Sequence, residues 1–191
     1  MKRKVGLFFG SFNPIHVGHL IIANLIHAEK LVEEVWFVVS PQNPHKKRSN
    51  LLPEHDRLDL VREAIKDDYH FRVSDIEFSM PKPSYTIHTL VYLEEKYPQY
   101  DFKLIIGEDN LASMPRWKNH QEILNRGLIV YPRPNTMKSE LATHTNVSWV
   151  DAPQMDISAT LIRKLIKEGK SVKFLLSEAV AELIESRKYF S

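Results

Sequence analysis

Short apolar runs that do not alternate, each followed by a stretch of helical periodicity, most narrow the folds open to this chain. Val5-Gly6-Leu7-Phe8-Phe9 and Val35-Trp36-Phe37-Val38-Val39 are continuous apolar segments of strand length, as strands covered on both faces require. Residues 102–106 and 128–131 read the same way, and Phe71-Arg72-Val73 and Val147-Ser148-Trp149-Val150 add two short candidates. Between them the spacing predicts helices. One covers about residues 17–30, with Ile21, Leu25 and Ala28 in one stripe. A second opens at Pro53 with Leu58, Val61 and Ile65 inward, and a third is capped by Ser84 with Ile87, Leu90 and Val91 inward, stopping before Pro98. Ser158 and Ser177 cap two more, the latter with Val180, Leu183 and Ile184 inward. This alternation predicts a doubly wound, Rossmann-like α/β fold, a mostly parallel sheet with helices on both faces. At 191 residues one domain is expected, spanning 1–191, with the helical segment from about 158 to 191 packed on it. Residues 132–146 show no period and read as an exposed connection. Ligands of such a fold sit beyond the carboxyl ends of the strands, so the loops after Phe9, Val39, Ile106, Tyr131 and Val150 are where function is expected.

Composition removes several classes. The chain has no cysteine, which excludes disulfides and thiolate zinc sites. A net charge of +2 without a basic, aromatic-interleaved stripe argues against a nucleic-acid partner. No run approaches the ~20 apolar residues that span a bilayer. The basic start Met1-Lys2-Arg3-Lys4 precedes an apolar run that ends at Gly10-Ser11, short of the ~7–15 residues of a secretory core. A cytoplasmic protein with no membrane partner is the expectation.

The densest chemistry follows the first strand, in Gly10-Ser11-Phe12-Asn13-Pro14-Ile15-His16-Val17-Gly18-His19. Gly10 stands where the backbone turns and a phosphate can approach. His16 and His19, three apart at a helix start, project from one face of the first turn, and Gly18 leaves room beside them. The helix adds amide donors and the positive end of its dipole, which suits an anion. Two histidines without a third ligand do not make a metal site. Farther along, Ser158 caps a helix whose amides suit phosphate oxygens, and Thr160 and Arg163 share one face, where Arg163 can fork onto a phosphate.

His16-Val17-Gly18-His19 resembles the HxGH signature of the nucleotidyltransferase superfamily, and Ile157-Ser158-Ala159-Thr160-Leu161-Ile162-Arg163 is similar to its second signature. Pro83-Ser84-Tyr85-Thr86, Ile105-Ile106-Gly107-Glu108-Asp109-Asn110-Leu111, Pro115-Arg116-Trp117 and Pro132-Arg133-Pro134 follow, in order and spacing, the pattern of the bacterial nicotinate-nucleotide adenylyltransferases. That resemblance covers essentially the whole chain, with two departures. Phe9-Gly10-Ser11-Phe12 stands where the family often has Gly-Gly-Thr-Phe, and Ser40-Pro41-Gln42-Asn43-Pro44-His45-Lys46 lacks the family's first Asn and one Pro.

The resemblance implies transfer of AMP from ATP to nicotinate mononucleotide in NAD biosynthesis, with Mg²⁺ carried on the ATP phosphates. It implies catalytic roles for His16, His19 and Arg163. ATP falls to Gly10, Ser11, Phe12, Gly18, Lys46, Gly107, Asp109, Arg133, Ile157, Ser158 and Thr160, and the mononucleotide to Asn43, Tyr85, Thr86 and Trp117. Read as residues, Asp109 can accept from ribose hydroxyls and Trp117 offers a flat face to a pyridinium. The same transfer to nicotinamide mononucleotide or another phosphate acceptor stays open, as does a nucleotide-binding module without catalysis.

Overall fold

The computed structural model describes residues 2–41 and 51–191. Six strands form one sheet: β1 (Arg3–Gly10), β2 (Glu34–Val39), β3 (Phe71–Ser74), β4 (Tyr100–Gly107), β5 (Leu128–Tyr131) and β6 (Val147–Trp149). Their order is β3-β2-β1-β4-β5-β6 and every pairing is parallel. The order reverses between β2 and β4, on either side of β1, and that is where an open α/β sheet leaves its crevice. All six positions of β2 are buried, which explains why its apolar run does not alternate.

Helices cover both faces: α1 (Val17–Ala28), α2 (Glu54–Ile65), α3 (Thr86–Lys96), α4 (Glu108–Ser113), α5 (His120–Arg126), α6 (Ala159–Lys167) and α7 (Glu178–Ser186). The sheet divides the core in two. One side holds Phe8, Phe37, Ile22 and Val61, with Ile162, Val180 and Ile184 from the last two helices; the other holds Leu7, Trp36, Leu90, Leu104 and Leu124.

Two expected helix faces are displaced. In α1 the buried residues are Gly18, Ile22, Ala23 and Ile26, while Ile21 is 36% exposed. The segment Leu20-Ile21-Ile22 with Leu25-Ile26 is apolar nearly all round, so spacing does not choose the face; packing on the sheet does. In α3, Leu93 and Thr89 are buried and Val91 is exposed. The N-cap of α3 is Tyr85 instead of Ser84. The short helices α4 and α5 follow β4 without a periodic signal long enough to read. Residues 132–146 contain a 3₁₀ turn, Glu140–Thr143, whose cap Ser139 accepts a hydrogen bond from the Leu141 amide. Among the described residues no helix is long and apolar enough to cross a membrane.

Candidate active site

The turn from β1 into α1 is built around two imidazoles. His16 is the N-cap of α1 in extended backbone, and His19 lies three residues on. Their rings stack with centroids 3.7 Å apart, inclined by 28°. The His16 amide donates to His19 Nδ1 at 3.2 Å, so Nδ1 is the acceptor and the ring proton is assigned to Nε2. Edge contacts from Phe8 and Phe12 fix the His19 ring. His16 is 6% exposed. Burial, and secondarily the positive charge of Arg133, pushes its pKa down from 6.5 to about 4, so the ring is neutral at pH 7.

Gly18 serves the histidine more than a ligand: a Cβ there would stand 3.1 Å from His16 Nδ1. Gly18 still lines the cleft beside the pair. At Gly10 a Cβ would meet the Phe12 ring at 2.7 Å, so that ring packs directly over the turn. Phe12 itself is 2% exposed and packs edge-on against Phe8 and Phe37, so its side chain belongs to the core. Its φ of 43° lies in the left-handed region that bulky residues avoid, a strain the packing sustains.

Two arginines brace this turn from outside. Arg57, 1% exposed on α2, donates to the carbonyls of Ser11 at 2.6 Å, Ser40 at 2.8 Å, Leu52 at 3.0 Å and Pro41 at 3.1 Å. Burial lowers its pKa, with Glu54 opposing. Arg163 on α6 donates to the Asn13 carbonyl at 2.8 Å and to Thr160 Oγ1 at 3.3 Å; burial lowers its pKa as well. The Leu52 amide donates to Asn13 Oδ1 at 3.1 Å. The Val17 amide, at the very start of α1, donates to the Leu175 carbonyl at 3.0 Å.

The facing wall comes from the ends of β4 and β5. Tyr131, the last residue of β5, is buried, which raises its phenol pKa. The Arg133 guanidinium lies 5.3 Å from the Tyr131 ring, with Nε 3.9 Å from Asp109 Oδ1. Gly107 leaves the space that Tyr131 and Arg133 fill, since a Cβ would stand 3.2 and 3.3 Å from them. His16, Gly18, His19, Tyr131, Arg133 and Ile157 line one cleft. Ser158 follows Ile157 and caps α6, accepting from the Leu161 amide at 3.2 Å.

The structure thus gathers His16, Gly18, His19, Arg133 and Ile157 in one cleft, with Asp109 and Gly107 against Arg133, while Ser158 follows Ile157 in the chain and Arg163 and Thr160 pair on the first turns of α6. Ser11 presents its carbonyl to Arg57. Tyr85, Thr86 and Trp117 stand apart: Tyr85 caps α3 and is 40% exposed, while Trp117 is half-buried against the second core cluster. Asn43 and Lys46 lie outside the described residues. The sequence marks Tyr131 only as the end of a strand and does not single out Arg57. A charge at position 57, about one and two turns before Val61 and Ile65 on the buried stripe, is the signal for the arginine. A buried carboxyl, Glu77, is also new: it accepts from Thr89 Oγ1 at 2.8 Å, and burial raises its pKa.

A parallel sheet of this strand order, with its paired histidines at the switch point, defines a nucleotidyl-transferring α/β class, and the cytidylyltransferase-like family profile matches residues 7–165. A protein of Cytophaga hutchinsonii described as a probable nicotinate-nucleotide adenylyltransferase is 59% identical over 98% of each chain, and one of Christiangramia forsetii with the same description is 49% identical over the full length of both. The chain belongs to the nicotinate-nucleotide adenylyltransferase family. The fold also matches that of Plasmodium falciparum nicotinic acid mononucleotide adenylyltransferase complexed with NaAD, with a TM-score of 0.83 at 19% identity over 98% of this chain and 97% of that one.

Proposed function

We propose that the chain transfers AMP from ATP to nicotinate mononucleotide, giving deamido-NAD and pyrophosphate. The observation that carries this reading is the stacked His16–His19 pair opening α1, facing Arg133 across the switch point of the sheet. A phosphate oxygen of the mononucleotide forms the new bond to the α-phosphorus of ATP. The bond from that phosphorus to the α–β bridging oxygen breaks, and its electron pair leaves on pyrophosphate. The nucleophile is anionic near neutral pH, so no side chain has to remove a proton, and catalysis reduces to alignment and charge stabilisation.

His19, its Nδ1 engaged, offers Nε2–H to a non-bridging oxygen of the α-phosphate. His16, neutral and buried, packs that ring in place and stands ready to donate as the triphosphate offsets Arg133. Arg133 supplies the fixed positive charge. Arg163, with donors left beyond Asn13 and Thr160, and the open amides of the α6 first turn below Ile157 and Ser158 receive the β- and γ-phosphates. Asp109 accepts from the ribose. On the other side, the amides at Tyr85 and Thr86 receive the nicotinate carboxylate and Trp117 stacks on its ring.

A divalent cation accompanies ATP in this class, and we take it to be Mg²⁺. Among the described residues no cluster of three His, Asp or Glu exists to cage an ion; the donor set fits a hard cation carried on phosphate oxygens and water. Bound there, such an ion would offset the negative charge of the phosphates that Arg133 and Arg163 receive.

Pyrophosphate release from ATP and Mg²⁺ tests the reading, run in parallel with nicotinate mononucleotide, nicotinamide mononucleotide and phosphopantetheine. A kcat/KM about a hundredfold higher for the nicotinate compound, roughly 2.7 kcal/mol, is expected. Comparable rates with both mononucleotides overturn the acid preference; silence with all three, from folded protein that binds ATP, makes it a nucleotide-binding module.

A further inference from the structure

The Trp117 loop carries a cation that the reading above does not use. After the 3₁₀ turn Met114–Arg116, the chain passes Trp117 in extended backbone and reverses at Asn119, whose φ is 51°. Between them stands Lys118, exposed at the loop tip. Its ammonium lies 4.9 Å from the centre of the Tyr85 ring and 3.2 Å from His88 Nε2. Since the ammonium can only donate, His88 accepts through Nε2. Tyr85 meets His88 edge-on, with centroids 5.5 Å apart. The nearest paired acid on the loop's own side, Glu122, is taken by Asn119 and Arg126. Among the described residues no carboxylate forms an ion pair with Lys118. A positive charge is thus held, without a counter-ion, between Trp117 and the first turn of α3.

We propose that Lys118 is a specificity-determining residue that makes the site choose a pyridinium carboxylate over the corresponding carboxamide. The inference rests on the mononucleotide occupying the space between Trp117 and Tyr85, as proposed above. Both candidate rings carry a positive ring nitrogen. The acid also carries a carboxylate, which an ammonium attracts, so the zwitterion gains at this position. The amide has no negative group to offset its ring charge, so the same ammonium repels it. The two effects act in one direction. A stacking surface alone cannot separate the two rings, which are nearly isosteric. An unpaired charge a few ångströms from the exocyclic group at a half-exposed site is worth about fivefold to tenfold in selectivity. His88 and Tyr85 give that charge a place: without them a surface lysine would spread over many rotamers and discriminate weakly.

The test is the ratio of kcat/KM for nicotinate mononucleotide to that for nicotinamide mononucleotide, in wild type, Lys118→Gln and Lys118→Glu. The expected result is a ratio lowered about fivefold to tenfold in Lys118→Gln, mainly through a higher KM for the acid. In Lys118→Glu the ratio falls further, with the amide used better than by wild type. The KM for ATP and the unfolding temperature stay at their wild-type values, because the side chain is exposed and stands on a different loop from His16 and His19. A ratio within twofold of wild type in both variants overturns the assignment while leaving the activity intact. A wild type that adenylylates neither compound overturns the activity first and this assignment with it. Loss that is equal for both acceptors also overturns it, since a generally damaged loop does not discriminate.

Discussion

Acid exposes the histidine that opens α1. With a pKa of about 4 in the folded chain against 6.5 unfolded, His16 binds its proton more readily when the chain unfolds. The sign follows: a lowered folded pKa leaves stability intact above about pH 6.5 and drains it as pH falls toward 4. Linkage over that window makes the fold about 2 kcal/mol less stable at pH 4.5 than at pH 7 from this group alone. Other groups titrate in the same range, so the quantity to measure is a difference of differences. Urea unfolding at pH 7 and pH 4.5, for wild type and for His16→Gln, isolates it, because the carboxamide does not titrate. The wild type should lose about 2 kcal/mol more on acidification than the variant. Because burial is the larger cause and Arg133 the smaller, Arg133→Met should recover only the lesser part of the loss. Equal acid losses in wild type and His16→Gln, within about 0.5 kcal/mol, would refute the claim that the ring is buried neutral.

Three further outcomes follow from other contacts. Arg57→Met deprives four carbonyls of their donor and should destabilise the fold by about 3 kcal/mol or more, read by chemical denaturation; Lys, lacking the planar fork, should rescue little of it. Ser158→Ala removes a cap that accepts from Leu161 and should cost about 1 kcal/mol, whereas Ser177→Ala should cost almost nothing, since that buried hydroxyl has no hydrogen-bond partner; calorimetry on both compares them directly. Gly18→Ala places a methyl 3.1 Å from His16 Nδ1, so the ring must shift by a few tenths of an ångström and turnover should fall while circular dichroism stays native.

The α/β alternation is legible because β2, β5 and the middle of β1 are buried on both faces, which leaves long apolar runs. The order of those strands is not legible: nothing local tells β1 to sit between β2 and β4. His16, His19 and Arg163 could be read because their spacing repeats a recognisable pattern. The rings packed over Gly10 and Gly18 could not, because each is a side chain folding back onto backbone, a contact with no sequence period. Phe12 reads as a loop residue, yet its ring packs into the core cluster. In α1 a nearly all-apolar helix hides its own inward face; in α3, Thr89 turns inward because the buried Glu77 carboxylate needs its hydroxyl. Arg57 is the instructive omission: a charge on an apolar stripe looks like noise until four distant carbonyls converge on it.

The bond from Val17 to Leu175, with that from Arg163 to Asn13, sets an order of events in the life of the molecule. The histidines emerge early from the ribosome, but the partners that clamp their turn are made last. A nascent chain can lay down β1, α1 and β2 and still hold an unclosed turn. Competence therefore arrives late in biogenesis, as the C-terminal helices dock. A copy clipped before Leu175 would keep most of the sheet and both imidazoles and yet be inert, so quality control of the tail is quality control of the chemistry.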